Sequence, residues 1–438
     1  MFMSPPYEFP ALVATILAQI CCHKNSLPQG APTSPIISNM ICSKMDGELQ
    51  KLARKSKSTY TRYADDITFS TNLQFIPKEL GQQKENEFKV SQELTGVIES
   101  NGFTINHKKV RLQPRHLRQE VTGLIVNEFV NVKREYIYDI RSILHKWEKN
   151  GLSATSDEYF NKYCPISKKG YTKDFKKIIR GKIEFVRMIR FTDKRDKQKK
   201  RSKIFFKFLE KFHNNNLRDF QTTVIRTEGK TDCMHFQRAY TSLRKELPKF
   251  KNLNISFYQT KHSHGASSLL SFCEKAKKGH FKKFKNKIIC VFDSDLPDIN
   301  KIHRNNKFNL WAENIYSLVL PTENNSTAEI CVELLYDEAI IKTEVDGLRL
   351  YLSNEFEKES GKHKTNPQLR YNGNLSYLNG SLKIIDSEVI DQKSRKNVAL
   401  SKSKFAHSLY KSRPGFENIN FKKFEGLFDR IAQIENGQ

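Results

Sequence analysis

The sequence predicts a mixed α/β protein in three stretches: an α+β first part, a basic helical middle, and an α/β last part built on a small, mostly parallel sheet. Three observations predict it. Residues 1 to about 150 alternate short apolar runs with turn signals. Residues 151 to about 215 place apolar side chains at helical spacing beneath dense positive charge. From Thr222 onward, β-rich runs at 222–225, 255–258, 288–292 and 315–320 are separated by helix-length segments, the pattern of strands joined by crossover helices. A chain of 438 residues has room for about three domains. Borders are expected at 1–131, 132–216 and 217–438, with the polar run His213-Asn214-Asn215-Asn216 as a linker. The polar stretch around residues 355–374 reads as an insertion or loop.

Composition narrows the function. Lysine and arginine number 75 against 48 acids, a net charge of +27, which favours polyanionic partners. The excess is concentrated: residues 162–211 hold 19 basic side chains against five acidic ones. Interleaved apolar residues (Phe175, Ile179, Ile183, Val186, then Phe205, Phe208, Leu209) argue for amphipathic helices with a basic outer face rather than a charged tail. Lys194, Arg195, Lys197, Lys199, Lys200 and Arg201 are the expected phosphate contacts. With 38% hydrophobic residues the chain is not wholly disordered. Residues 9–22, the longest nearly uncharged apolar stretch, fall short of the ~20 residues a membrane span requires. Glu8 stands where a signal peptide would carry basic residues, and eight cysteines are too sparse for a disulfide scaffold, so a cytoplasmic protein with reduced thiols is expected.

The first chemical signal is Thr61-Arg62-Tyr63-Ala64-Asp65-Asp66-Ile67-Thr68, two adjacent carboxylates between strand-prone runs. Acids crowded at a turn repel unless a cation lies between them, and hard oxygen ligands suit Mg²⁺. Alone, such a pair is an ordinary polar turn. Its context is Leu27-Pro28-Gln29-Gly30-Ala31-Pro32 upstream, and Gly102-Phe103-Thr104-Ile105-Asn106-His107-Lys108-Lys109 and Val121-Thr122-Gly123-Leu124 downstream. In this order the elements resemble the palm motifs of reverse transcriptases, the bacterial retron branch in particular.

The resemblance covers roughly residues 1–215 and implies a partial palm over 1–131 and a basic helical thumb over 132–216. It implies metal-binding carboxylates at Asp65 and Asp66, and a nucleotide and template pocket around Pro28, Gln29, Gly30, Arg62 and Tyr63. Lys109, with Lys108 its rival, would sit near the leaving pyrophosphate. It also implies a third carboxylate upstream of Leu27, yet residues 1–30 hold one acid, Glu8. The first palm strand and fingers are therefore expected to be missing from this chain, which alone should polymerise poorly. Asp46 falls on the following helix, where a structural role is expected.

The second signal is Val224-Ile225-Arg226-Thr227-Glu228-Gly229, a strand ending in Glu-Gly, followed by Ile288-Ile289-Cys290-Val291-Phe292-Asp293-Ser294-Asp295, a buried-type strand ending in Asp-x-Asp. Adjacent parallel strands would bring these acids to one sheet edge, a setting for divalent metal and phosphodiester chemistry. The order resembles a TOPRIM domain of the OLD-nuclease kind over about residues 220–340. That implies Glu228 as general acid/base or metal ligand, Asp293 and Asp295 as metal ligands, and Asp232 as a further acid. Glu329 or Glu333 would complete the shell, Glu333 favoured. Lys402 or Lys404 would stabilise developing phosphorane charge, with Lys404 taken as the catalytic residue. His262, His264 and the Cys21-Cys22-His23 cluster lack metal-ligand spacing, and Trp147 and Trp311 read as core residues.

Together the resemblances imply a retron-type RNA-directed DNA polymerase fused to a metal-dependent TOPRIM nuclease. Mg²⁺ or Mn²⁺ would serve both sites, a structured non-coding RNA and its cDNA would be the partners, and antiphage defence the biology. The rival expectation is a catalytically dead nucleic-acid scaffold, or a fragment keeping only nuclease activity.

Overall fold

A computed structural model describes residues 2–5, 7–84, 87–163, 174–191, 198–258, 265–294, 297–303, 308–321 and 330–437. The chain divides into two compact units, one of residues 1–142 and 176–205, the other of residues 143–175 and 206–438. The expected thumb segment, 132–216, contributes to both. Among the described residues no helix is long and apolar enough to cross a membrane, and the cysteines are free thiols.

The first unit opens with α1 (Ala11–Cys21) and α2 (Ser34–Lys55), then the hairpin β1 (Thr59–Tyr63) and β2 (Asp66–Ser70). A second hairpin, β3 (Gly81–Lys84) and β4 (Glu87–Val90), leads to α3 (Gln92–Ser100). The short pair β5 (Glu120–Val121) and β6 (Leu124–Ile125) follows. Helix α2 buries Cys42, Met45, Leu49 and Leu52, one stripe at three- and four-residue steps. This stripe packs with Leu80, Leu94 and Ile98 and with the inner residues Tyr60, Ile67 and Phe69 of the hairpin. Pro35 stands in the first turn of α2, where its missing N–H costs nothing, and Arg54 and Lys55 sit at the negative end of the helix dipole.

Four helices follow, α4 (Arg134–Asn150), α5 (Leu152–Tyr163), α6 (Phe175–Phe191) and α7 (Gln198–Arg218). The apolar stripes expected for the basic region are present: Ile179, Ile183 and Val186 are buried on α6, and Phe205, Phe208, Leu209 and Phe212 on α7. The expected linker at 213–216 is instead part of α7, and all four residues are buried. Burial is possible because the amides find acceptors: Asn215 Nδ2 donates to Leu144 O at 2.8 Å and Asn216 Nδ2 to Phe212 O at 2.9 Å. His213 Nδ1 lies 2.7 Å from the Tyr258 hydroxyl.

The second unit is organised by a five-stranded sheet of β7 (Thr223–Thr227), β8 (Ile255–Tyr258), β9 (Ile288–Phe292), β10 (Asn309–Ala312) and β11 (Ile315–Val319), in the order β10-β11-β9-β7-β8. Four strands are parallel; β10, which the sequence pattern did not reveal, is an antiparallel edge. Alternate residues feed two cores. Ile225, Ile289, Val291 and Leu318 join one; Val224, Ile288, Cys290 and Phe292 join the other. The crossover helices are α8 (Lys230–Glu246), α9 (Ala266–Lys277) and α10 (Pro297–His303). Helices α11 (Glu338–Ile341), α12 (Lys402–Tyr410) and α13 (Glu425–Asn436) complete the unit; Phe405, Leu409, Leu427, Phe428 and Ile431 enter the first of the two cores.

The polar stretch 355–374 is ordered rather than an open loop. Glu355 is buried in a bidentate pair with Arg349 (2.7 and 3.3 Å) and lies 3.2 Å from His363 Nε2. Phe356 and Tyr371 join Tyr351, Ile385 and Val389 in a small core of their own.

Candidate functional site

The β1–β2 hairpin carries the first candidate site. Register pairs Tyr63 with Asp66, leaving Ala64 and Asp65 as the two-residue turn. Ala64 takes φ +50°, the left-handed conformation such a tight turn demands. Asp65 and Asp66 are exposed at the tip, and among the described residues neither carboxylate has an ion-pair partner.

The turn is braced from below. Asp46 on α2 accepts from Arg62 Nε and Nη2, both at 2.7 Å, and from the Tyr60 hydroxyl at 2.6 Å. Arg62 Nη1 in turn donates to the Ala64 carbonyl at 2.9 Å, and Nη2 also reaches Asn39 Oδ1 at 3.1 Å. The Arg62 hydrogen bonds hold the Asp46 carboxyl below the usual carboxylate range, and the same bond raises the guanidinium. Arg62, expected in the nucleotide pocket, is thus turned inward as a clamp on the acidic turn, while Tyr63 is exposed. Asp46 holds the structural role expected of it.

Pro28, Gln29 and Gly30 form a turn closed by Ala31 N to Pro28 O (3.3 Å) and by Ser34 Oγ to Pro28 O (2.7 Å). Gly30 has φ +88° with open space where a Cβ would stand, so its conformation, rather than close packing, calls for glycine. Lys108 and Lys109 are exposed on a short 3₁₀ turn, His107–Lys109. Lys194, Arg195 and Lys197 lie outside the described residues, as do the side chains of Lys199, Lys200 and Arg201 at the start of α7.

The second candidate site lies at the carboxyl ends of β7 and β9, neighbours in the sheet. Glu228 Oε1 accepts the backbone N–H of Asp293 at 3.0 Å, joining the two strand ends. Asp232 turns back at the start of α8, where Oδ2 accepts the Gly229 N–H at 2.7 Å and caps the helix. Burial pushes its carboxyl up, and the nearby Glu333 charge adds to the shift.

Glu333, 2% exposed, is fixed by its chain and by Lys402. Ser294 N donates to Ile330 O (3.0 Å) and Ile330 N to Ser294 Oγ (2.7 Å), a reciprocal latch that draws this segment alongside Asp293. Lys402 Nζ, on the first residue of α12, lies 3.2 Å from Glu333 Oε2. Burial works against the ionised carboxyl, yet the Lys402 charge outweighs it and holds Glu333 below its usual range. Burial likewise opposes the ammonium, and Glu333 raises it.

The sequence favoured Lys404 over Lys402; the structure sends Lys404 to Asp346 on the surface, at 2.8 Å. His235, which sequence reasoning missed because a lone histidine on an apolar helix face carries no motif, is fully buried, with Nδ1 2.9 Å from the Tyr336 hydroxyl. Burial pushes its imidazole down to about 4. Asp295, Glu329, His262 and His264 lie outside the described residues.

Oxygen ligands at both sites suit Mg²⁺ or Mn²⁺ in kind, but among the described residues no three His, Cys, Asp or Glu side chains stand together as a metal site.

Residues 12–126 match the family model described as Reverse transcriptase (RNA-dependent DNA polymerase). The chain is 39% identical over 135 residues to the Retron Ec86 reverse transcriptase of Escherichia coli, covering 31% of this chain and 39% of that protein. It is 38% identical over 130 residues to the Retron Mx162 reverse transcriptase of Myxococcus xanthus, covering 28% and 27%. To the Retron Mx65 reverse transcriptase of the same organism it is 37% identical over 118 residues, covering 27% and 25%. The chain thus spans two fifths or less of the length of these curated relatives. No solved structure matches it. The braced hairpin with its two aspartates falls inside the matched segment, and the comparisons support a retron-type reverse transcriptase domain in the first part of the chain.

Proposed function

We propose that the chain takes part in RNA-directed DNA synthesis of the retron kind through residues 1–216, a partial palm (1–131) and a basic thumb (132–216). The observation that carries this reading is the Asp65–Asp66 turn, exposed, unpaired and braced by Asp46 and Arg62, within the segment that matches reverse transcriptases. Asp65 and Asp66 would hold Mg²⁺ or Mn²⁺, which supplies charge neutralisation at the transferred phosphate. Pro28, Gln29, Gly30 and Tyr63 would shape the nucleotide pocket, and Lys109 would face the departing pyrophosphate. A structured non-coding RNA is the proposed template and cDNA the product.

The test is synthesis of cDNA from that RNA. Asp65→Asn should abolish it and leave RNA binding intact; unchanged synthesis overturns the reading. The third carboxylate that the resemblance implies, absent from residues 1–30, would have to be supplied by polypeptide beyond this sequence.

For residues 217–438 we propose a metal-dependent nuclease of the TOPRIM kind, serving as an effector in antiphage defence, in a cytoplasmic protein. Its support is the Glu228–Asp293 bond between neighbouring parallel strand ends, with Asp232, Glu333 and Lys402 around it. Glu228 would move the proton, Asp293 and Asp295 would hold the metal, and Lys402 rather than Lys404 would face the developing negative charge. Metal-dependent cleavage of nucleic acid by the full chain that disappears in both Glu228→Ala and Asp293→Ala supports this. The rival reading, a catalytically dead nucleic-acid scaffold, draws on the lack of a three-ligand cluster among the described residues. Binding without cleavage at any metal concentration would establish it instead.

A further inference from the structure

The first unit contains a cavity of about 240 Å³ beside β6 and the start of α4, used by none of the motifs above. Its polar wall consists of Asn131, Arg134, Tyr138, Arg141 and Arg190, and its floor includes Ile137. Three guanidiniums line it, with no carboxylate among the described lining residues. Cations gathered without a neutralising wall group repel one another, and an anion is the group that relieves this.

The cations are held in position. Arg190 Nε donates to Asn131 Oδ1 at 3.0 Å, and that same oxygen accepts the Val132 N–H at 2.9 Å, so the amide is oriented by the backbone beside it. Arg141 stands over the Tyr138 ring, 5.6 Å from its centroid. Arg134 is the first residue of the seventeen-residue α4, where the positive end of the helix adds to its charge. Tyr138 is 56% exposed, leaving aromatic surface open to a stacked base. The volume lies below the ~300–1,000 Å³ of drug-sized ligand sites and fits one nucleotide unit.

We propose that this cavity binds a single nucleotide of a nucleic-acid strand, its phosphate on Arg134, Arg141 and Arg190 and its base against Tyr138. The inference rests on the reading of this chain as a nucleic-acid-handling protein, but not on catalysis at Asp65 and Asp66. The phosphate could be a strand's 5′ terminus or an internal one, and the experiment separates the two.

The measurement is fluorescence anisotropy of the full chain, in EDTA, with short oligothymidylates labelled at the 3′ end and bearing a 5′-phosphate or a 5′-hydroxyl. The double variant Arg134→Gln/Arg141→Gln removes two exposed charges and should bind about tenfold more weakly, as expected for lost charge-assisted hydrogen bonds. Its salt slope should fall by roughly 0.7, the value for one single-strand phosphate. A wild-type preference for the 5′-phosphate, lost in the variant, assigns the site to a strand end; equal binding of both oligonucleotides, weakened equally by the variant, assigns it to an internal phosphate. Tyr138→Ala should weaken binding about fivefold or more at unchanged salt slope, because stacking carries no charge. Lys44→Gln, an exposed lysine on α2 away from the cavity lining, is the control. If it weakens binding as much as the arginine variant, or if the arginine and tyrosine variants both bind like wild type, the proposal is overturned. Asp65→Asn should leave this binding unchanged, so failure of the polymerase reading and failure of this one give different results.

Discussion

The hairpin bearing Asp65 and Asp66 and the strand ends bearing Glu228 and Asp293 differ first in where their counter-charges lie. At the hairpin the fold spends its cation, Arg62, one layer beneath the acids, leaving the carboxylates open to solvent. At the strand ends the cation is inside: Lys402 reaches Glu333 within a buried wall, and Asp232 is occupied as a helix cap. An open acidic turn depends on what comes to it, whereas a walled cluster of acids is partly neutralised by its own protein. Loss of a residue should therefore show as lost activity at the first site and as lost stability at the second.

The sharpest way to break this comparison is Asp65→Asn. It should eliminate cDNA synthesis while leaving the urea unfolding midpoint unchanged, because an exposed carboxylate without a partner contributes little to folding. A shifted midpoint would show that the turn has structural partners after all.

Lys402→Met should do the reverse. Leaving Glu333 buried without its cation costs about 2–3 kcal/mol, somewhat below the usual range for a broken buried pair because the lysine is partly exposed. Urea unfolding of the full chain measures it. The deficit should shrink as pH falls through the ordinary glutamate range, since Glu333 ionises below that range in the folded state and its pairing is lost on protonation.

A comparable effect is expected from His235. Its imidazole is held neutral down to about 4 in the fold and titrates near 6.5 when unfolded. Between those values the unfolded chain binds the extra proton, so stability rises with pH across this window and declines on acidification, by roughly 3 kcal/mol in the limit. His235→Gln should flatten that decline without abolishing it, because burial also pushes His303 down to about 4. An unchanged pH profile would mean that the ring is solvated in solution.

Asp46→Asn should cost about 1 kcal/mol through weakened hydrogen bonding to Arg62, and cDNA synthesis should fall with it as the Ala64 carbonyl loses its anchor. The smallest effect belongs to Lys404→Ala. Its partner Asp346 is exposed, and neither the unfolding midpoint nor metal-dependent cleavage should move. Together with Lys402→Met this separates two lysines that stand two residues apart in the sequence.

Those two lysines show where sequence reasoning stops. Both fit the same motif offset, but positions two apart on a helix face different ways, and the start of α12 after Ser401 decides which one points inward. The strands were readable because their β-branched runs are buried on both faces, and the hairpin because turn chemistry is local. The edge strand β10 has no such run. The 213–216 asparagines and the 355–374 stretch have the composition of linkers, yet each polar group finds a partner distant in sequence, such as Leu144 O for Asn215 or Arg349 for Glu355. Arg62 was misread for the same reason: its partner Asp46 lies sixteen residues away on a helix whose packing against the hairpin no motif records.

The latch between Ser294 and Ile330, together with the Lys402–Glu333 pair, has a consequence in time. The hairpin site closes within a dozen residues of chain, whereas the second site needs a strand end at 228, another at 293, a segment at 330–333 and a lysine at 402. A chain emerging from the ribosome amino end first can form the hairpin early, but it cannot assemble the second site until Lys402 has been made. Contacts this distant in sequence also form slowly. If that site cuts nucleic acid, an unfinished chain is harmless, and stalled or truncated products stay silent without needing an inhibitor.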